Sequence, residues 1–156
     1  MKQEFFLILP NIRSGHNVGA MFRTADACGV GKIFLVGYTP SPPHKAIDKV
    51  SLGAEKWMKW KQYKNLKVLV KNLKKKNVFV VGLEKNSSSR DIAILGARFK
   101  QKSIALIVGN EVDGIAPEIL NLCDVVAHIP MYGKKESLNV SIAAGIAMYE
   151  IQKQRL

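Results

Sequence analysis

Apolar runs and helix-like segments alternate along this chain. Five short apolar runs are typical of buried strands and occupy positions 5–9, 32–36, 78–83, 104–108 and 125–130. Apolar residues at helical spacing predict helices at 17–27, around 66–73, at 117–122 and at 138–152, with Ser137 as the expected N-cap of the last. This alternation predicts an α/β fold with a largely parallel sheet. The sequence contains no internal repeat or linker, which predicts a single domain over residues 1–156.

Four loops that follow predicted strands form the candidate binding edge. They span residues 11–17, 83–89, 109–114 and 131–139. In open parallel sheets, ligands bind beyond the carboxyl ends of the strands, where such loops meet. Three of these loops contain glycine, which lets a ligand approach the backbone closely. We therefore expect the functional site at this edge of the sheet.

Basic residues outnumber acidic residues two to one. The chain has 24 Lys and Arg against 12 Asp and Glu, a net charge of +12 and a pI near 9.8. This balance favours a polyanionic partner. Eleven lysines and two acidic residues fall within residues 44–76. The lysines of the predicted helix around 66–73 have a plain structural explanation as well, because they fit its solvent-exposed face. Within residues 44–76, Trp57, Trp60 and Tyr63 could stack on bases, but we prefer a half-buried strand over 56–63.

Several common chemistries lack their signatures. Gly29-Val30-Gly31 begins like a dinucleotide fingerprint, but Phe34 takes the place of the third glycine and a strand follows. The sequence has no GxxxxGK[ST] loop and no GxSxG elbow. Its three histidines and two cysteines share no metal-ligand spacing, so we expect no metal. With no signal peptide, no apolar run near the ~20 residues of a membrane span and few cysteines, we expect a soluble cytoplasmic protein.

Three polar residues are candidates for chemistry. Arg23 lies in the first predicted helix among apolar neighbours, and arginine suits phosphate because it is planar and always charged. Glu111 and Asn139 lie in the predicted binding loops. Each also has a plain structural explanation, because Arg23 fits an exposed helix position and the other two fit turn and cap positions with local hydrogen bonds.

The segments that contain these residues together resemble a known family. They read NVGAMFRTA at 17–25, IVGNEVDG at 107–114, and IPM at 129–131 through ESLNVS at 136–141. In content and order they are similar to the three motifs of the SpoU/TrmH family, the S-adenosylmethionine-dependent RNA 2′-O-ribose methyltransferases of the SPOUT superfamily. The resemblance covers essentially the whole chain.

The resemblance implies roles for individual residues. The catalytic group that it implies is Arg23, Asn17, Glu111, Ser137 and Asn139, with Arg23 as the catalytic arginine. The implied S-adenosylmethionine contacts, made largely by backbone groups, are Leu83, Gly109, Asn110, Ile129, Met131 and Leu138. It also implies a C-terminal trefoil knot in the sheet and a homodimer that packs the first and last helices together.

The expected substrate is tRNA, with rRNA second, because small relatives that consist of the catalytic core often modify tRNA. This chain resembles that core without a substrate-recognition extension. The expected RNA contacts are Arg13, Lys45, Lys49, Lys56 and Arg90. Two alternatives stay open: a non-catalytic RNA-binding protein with the same fold, and a related methyltransferase that acts on a base nitrogen. The complete set of polar motif residues favours the ribose enzyme.

The expected chemistry centres on the ribose hydroxyl. Methyl transfer requires that its proton be removed or that its alkoxide be stabilised during attack. The quoted motif stretches contain no histidine or lysine that could act as a base. Because arginine stays protonated in proteins, we expect Arg23 to hold the substrate phosphate and stabilise the developing alkoxide.

Overall fold

A seven-stranded parallel sheet forms the centre of the protein. The structure is a computed structural model that describes residues 2–156. In chain order the strands are β1 (Phe5–Pro10), β2 (Lys32–Val36), β3 (Trp60–Tyr63), β4 (Phe79–Leu83), β5 (Arg90–Asp91), β6 (Ile104–Ile107) and β7 (Val125–His128). Their spatial order is β3-β2-β1-β6-β4-β7-β5, and every pairing is parallel. The predicted fold class is therefore confirmed.

Helices cover both faces of this sheet. They are α1 (Gly15–Ala27), α2 (Lys45–Ser51), α3 (Ala54–Trp57), α4 (Leu66–Lys75), α5 (Gly96–Phe99), α6 (Pro117–Leu120) and α7 (Val140–Arg155). Leu7, Leu9 and Ile33 belong to the core cluster shared with α1 and α7. Ile8 and Phe34, one residue out of phase, belong to the cluster shared with α4 and α6. Both faces of the central strands are buried, which explains why β1 is apolar without alternation.

Two local predictions were wrong. Ser137 does not cap the last helix, because the Asn139 side chain accepts hydrogen bonds from the backbone N–H groups of Ser141 and Ile142 and α7 begins at Val140. The expected strand over 56–63 begins only at Trp60. Lys56 and Trp57 belong instead to the short helix α3, and Trp57 is exposed.

The last helix is only half-buried. Ala144, Ala147, Met148 and Ile151 face the core, whereas Ile142, Ile146 and Tyr149 are exposed. Gly145 lies against α1, where a Cβ built on it would stand 3.3 Å from Thr24 Cγ2. Within residues 2–156, no helix is long and apolar enough to cross a bilayer. The trefoil knot stays a prediction.

Candidate active site

A pocket of about 490 Å³ opens at the carboxyl ends of β4, β6 and β7. Such strand ends are where open parallel sheets bind ligands. All six residues predicted to bind cofactor line the pocket, namely Leu83, Gly109, Asn110, Ile129, Met131 and Leu138. Glu111, Ser137 and Asn139 line it as well. The fold thus brings segments from three distant parts of the sequence to one cavity.

Glu111 ties the loop after β1 to the loop after β6. Its carboxylate accepts hydrogen bonds from the backbone N–H groups of Arg13 and Ser14 at 3.1 and 3.4 Å. It also accepts one from Asn17 Nδ2 at 3.3 Å. Partial burial opposes ionisation of this carboxyl, but these hydrogen bonds outweigh burial and lower the pKa of Glu111 below its ordinary value. Glu111 therefore holds the start of α1 as a carboxylate.

Asn139 extends the same network to the third segment. Its Nδ2 donates to Asn17 Oδ1 at 3.3 Å, while its Oδ1 accepts the first hydrogen bonds of α7. Asn17 therefore links Glu111 on one side with Asn139 on the other. The capping role weighed for Asn139 from the sequence is confirmed, and it coexists with a contact inside the site.

The loop after β6 is closed on itself by glycine and asparagine. The backbones of Asn110 and Gly114 exchange N–H···O=C bonds at 3.2 and 3.1 Å. Gly114 has a φ of +66°, and a Cβ at Gly109 would meet Gly114 Cα at 3.0 Å. Asn110 Nδ2 donates to the Asn11 carbonyl and, at 3.0 Å, to the Tyr38 hydroxyl. These contacts fix the floor of the pocket.

The pocket lining is more acidic than the rest of the chain. Glu84, Glu111 and Glu136 line it against a single lysine, Lys85, in a protein with a net charge of +12. Glu84 is itself fixed, since its carboxylate accepts the Ile115 N–H at 3.1 Å. Sequence reasoning missed Glu84 and Glu136 as site residues. Both lie in loops of the predicted binding edge, Glu84 in 83–89 and Glu136 in 131–139, but only Glu136 also stood within the quoted third motif.

His128 is a further pocket residue that the sequence did not indicate. Its Nδ1 lies 2.9 Å from Ser89 Oγ. The Ser89 hydroxyl also lies 2.8 Å from the Asn86 carbonyl, so this contact joins the loop after β4 to the end of β7. The only prior signal for His128 was its position in the predicted strand 125–130, which leads into the candidate binding loop 131–139.

The side chains of Arg23 and of the expected RNA contacts do not line this pocket. Arg23 is exposed on α1, about 9 Å along the helix axis from Asn17, and does not line the cavity. The predicted RNA contacts Arg13, Lys45, Lys49, Lys56 and Arg90 are exposed and line no part of it either. Within residues 2–156, no group of three His, Cys, Asp or Glu side chains is arranged to hold a metal ion.

Comparison by sequence finds relatives along nearly the whole chain. Residues 4–149 match the SpoU rRNA Methylase family. The 23S rRNA (guanosine-2'-O-)-methyltransferase RlmB of Xylella fastidiosa is 35% identical over 153 residues, which are 98% of this chain and 60% of that protein. The tRNA (guanosine(18)-2'-O)-methyltransferase of Aquifex aeolicus is 32% identical over 155 residues, covering 99% of this chain and 71% of that protein.

Comparison by structure gives the same picture. An AdoMet-bound rRNA methyltransferase from Sinorhizobium meliloti superposes with a TM-score of 0.91 at 29% identity, over 100% of this chain and 58% of that one. The TrmH/SpoU tRNA modifying enzyme of A. aeolicus gives 0.86 at 30% identity, over 98% and 76%. The chain thus spans about 60% of the length of several matched proteins.

The superposition places the parallel sheet and its carboxyl-edge pocket in the SPOUT methyltransferase class of folds. Within that class, the chain belongs to the SpoU rRNA Methylase family.

Proposed function

We propose that this protein is an S-adenosylmethionine-dependent RNA methyltransferase that modifies a ribose 2′-hydroxyl. The observation that carries the proposal is the network that joins Asn17, Glu111 and Asn139, one from each of the three segments, beside a single pocket. Relatives that act on tRNA and on 23S rRNA support an RNA substrate. We propose tRNA as the substrate, with rRNA as the second candidate.

The pocket suits S-adenosylmethionine in size and in charge. Its volume of about 490 Å³ falls within the range of small-molecule sites. Leu83, Ile129 and Leu138 offer apolar surface for an adenine ring, and the glycine-bearing loop offers backbone groups. The sulfonium of the cofactor is a cation, which fits a lining of three glutamates and one lysine. When bound, the cofactor supplies an activated methyl group.

The residues of this chain would then position the ribose and manage its charge. Glu111 and Asn139 hold Asn17 and the start of α1 in place, which fixes the polar wall that the hydroxyl would meet. Arg23 would hold the neighbouring phosphate and stabilise the negative charge that develops on the 2′-oxygen. The proposed RNA contacts Arg13, Lys45, Lys49, Lys56 and Arg90 would follow the backbone beyond the site.

We further propose a homodimer through α1 and α7, in which Arg23 serves the pocket of the second copy. Ile142, Ile146 and Tyr149 form an exposed apolar face on α7. Thr24 contacts α7 at Gly145, so this face adjoins α1. Arg23 is the next residue along α1, is exposed, and lies outside its own pocket. A symmetric partner on this face would lie beside Arg23. The chain acts in this proposal as one catalytic domain in the cytoplasm.

Nucleoside analysis tests the reaction directly. Purified protein is incubated with S-adenosylmethionine and separate unmodified tRNA and rRNA transcripts, which are then digested and examined by mass spectrometry. A 2′-O-methylated nucleoside from the tRNA pool is the expected result. A methylated base would support the base-nitrogen reaction instead. Cofactor binding without methylation in either pool would contradict the proposed substrates, and no cofactor binding at all would favour the non-catalytic RNA-binding protein.

A further inference from the structure

A second cavity lies at the opposite end of the sheet from the pocket. It has a volume of about 880 Å³ and follows the amino ends of the strands. Six lysines and two acidic residues line it. We call it the amino-edge groove, and its lysines are Lys2, Lys32, Lys61, Lys74, Lys76 and Lys102.

The charge of this groove is largely uncompensated within the described chain. Of its six lysines, only Lys74 forms an ion pair within residues 2–156, with Asp124 at 2.9 Å. Glu4 is the other acidic residue in the lining. Lys74 and Lys76 also stand at the carboxyl end of α4, where positive charge stabilises a helix. Lys32, Lys61 and Lys102 neither form an ion pair within residues 2–156 nor stand at the end of α4, and they come from three separate segments.

Each of these three lysines lies over an aromatic ring. Lys32 Nζ is 5.3 Å from the Phe34 ring centroid, and Lys61 Nζ is 5.3 Å from that of Tyr63. The third pair is Lys102 Nζ with Phe79, at 4.5 Å. Ammonium groups at these distances are attracted to the ring faces and therefore held at the rim of the groove. The same contacts cover the rings, so the groove presents cations rather than faces for base stacking.

We propose that the amino-edge groove is a second RNA-binding site, which holds the phosphodiester backbone of the substrate RNA at a distance from the methylated nucleotide. The strands whose carboxyl ends form the pocket, β4, β6 and β7, are four to five residues long, which separates the groove from the pocket by about 13–17 Å. The groove contacts phosphates without regard to base sequence, because ammonium groups are its main donors. This inference rests on the proposed RNA substrate.

A matched pair of triple variants tests the groove. K32Q/K61Q/K102Q removes three charges inside it, whereas K71Q/K75Q/K100Q removes three exposed charges that do not line it. Binding to an unmodified tRNA transcript and to A-rich and U-rich single-stranded RNAs is measured from 50 to 300 mM salt. Calorimetric binding of S-adenosylmethionine verifies that each variant keeps its fold.

The groove variant is expected to bind each RNA about tenfold more weakly at 150 mM salt, with the slope of log K against log salt reduced by about 2. The fold-loss should be the same for the A-rich and U-rich RNAs. An equal loss in both triple variants would overturn the groove but leave methylation by the unaltered protein, and hence the proposed function, standing. If the natural protein binds RNA with an affinity that does not change with salt and methylates no RNA, both the groove proposal and the proposed function are overturned.

Discussion

The two edges of one sheet carry opposite charge and differ in how their side chains are held. At the carboxyl edge, three glutamates and one lysine line a pocket of about 490 Å³, and hydrogen bonds fix Glu84, Glu111 and Asn139. At the amino edge, six lysines and two acids line a groove of about 880 Å³, and aromatic rings hold three of the lysines.

This difference suits the carboxyl edge to catalysis and the amino edge to RNA binding. A hydrogen-bonded network on a closely packed backbone floor can hold reacting groups to a fraction of an ångström, which catalysis requires. Lysines on flexible stems cannot, but they neutralise phosphate wherever it lies along a groove. Arg23 stands apart from both edges, on the exposed face of α1. Variants confined to one region should therefore affect catalysis, cofactor binding and RNA attachment separately.

Removal of the Arg23 guanidinium should cost the most. R23A is expected to lower methyl transfer by about 10²- to 10³-fold, because the developing oxyanion loses its charged partner. R23K should also lose activity, since an ammonium cannot hold phosphate through two parallel hydrogen bonds. S-adenosylmethionine binding, measured by calorimetry, should stay near that of the natural protein because the proposed partners of Arg23 are the RNA phosphate and the 2′-oxygen, not the cofactor. Near-normal turnover by R23K would rule out bidentate gripping.

Mixed dimers show which chain's pocket Arg23 serves. The R23A variant lacks the arginine but keeps an intact pocket, whereas G109A keeps the arginine but has a damaged pocket. The two variants are mixed at equal concentration, unfolded together and refolded. If Arg23 acts across the dimer, each heterodimer has one complete site, and the mixture recovers about a quarter of natural activity. If Arg23 acts within its own chain, no heterodimer has a complete site and the mixture stays inactive.

A methyl group at Gly109 should disturb the pocket at the carboxyl edge without affecting the amino-edge groove. Its Cβ would meet the Gly114 backbone at 3.0 Å, so G109A should cost about 1–3 kcal/mol of unfolding free energy and abolish tight cofactor binding. G133A is the matched control, because nothing lies within 4 Å of the Cβ built on Gly133. Denaturant unfolding and calorimetry measure the two effects. A G109A protein as stable as G133A would contradict the close packing of the pocket floor.

The pH dependence of stability should report the Glu111 network. A carboxyl whose pKa is lowered by folding stabilises the protein above its unfolded pKa, near 4.3, and this contribution is lost as pH falls through the lower folded value. E111Q should therefore melt below the natural protein at pH 6–7, and the difference should shrink below about pH 4. Melting temperatures of both proteins across pH 3–7 provide the measurement. A constant difference would indicate that ionisation of Glu111 does not matter.

The smallest expected effect concerns a thiol near the amino edge. Burial and the adjacent Asp124 carboxylate raise the pKa of Cys123 to about 12. Burial raises the pKa of Cys28 as well. Both thiols should therefore react far more slowly with an alkylating reagent at pH 8 than in the denatured chain. Peptide mapping after timed labelling distinguishes the two, and rapid labelling of Cys123 in the folded protein would contradict its burial.

Local patterns predicted the central strands and the long helices because these elements are strongly apolar and periodic. Phe5–Pro10, Lys32–Val36 and α1 lie within two residues of their expected positions. The helix α2 was missed, since its N-cap is His44, whose ring accepts the Ala46 N–H. Ser137 was a plausible cap by type, but only the fold decides that Asn139 two residues later takes that place.

The sequence predicted those parts of the site whose residues are close together in sequence. It did not predict the surface whose residues are far apart in sequence. The three segments were evident as motifs; the fold places the second and third in the pocket lining, and Asn17 joins the first to them through hydrogen bonds with Glu111 and Asn139. The groove had no such signal, because Lys32, Lys61 and Lys102 are isolated in sequence and line one groove only once the strands assemble into the sheet. The excess of lysines in residues 44–76 was visible in the sequence, but the sequence did not show which surfaces of the fold these lysines occupy.

Hydrogen exchange of the full chain tests the separation of the two edges most directly. Exchange is measured by mass spectrometry for the protein alone, with S-adenosylmethionine, and with an unmodified tRNA transcript added. S-adenosylmethionine should slow exchange in residues 83–89, 109–114 and 129–139, and the tRNA should add protection at residues 30–34, 59–64 and 100–104. Protection of the amino edge by the cofactor, or no protection there by RNA that binds tightly, would contradict the account.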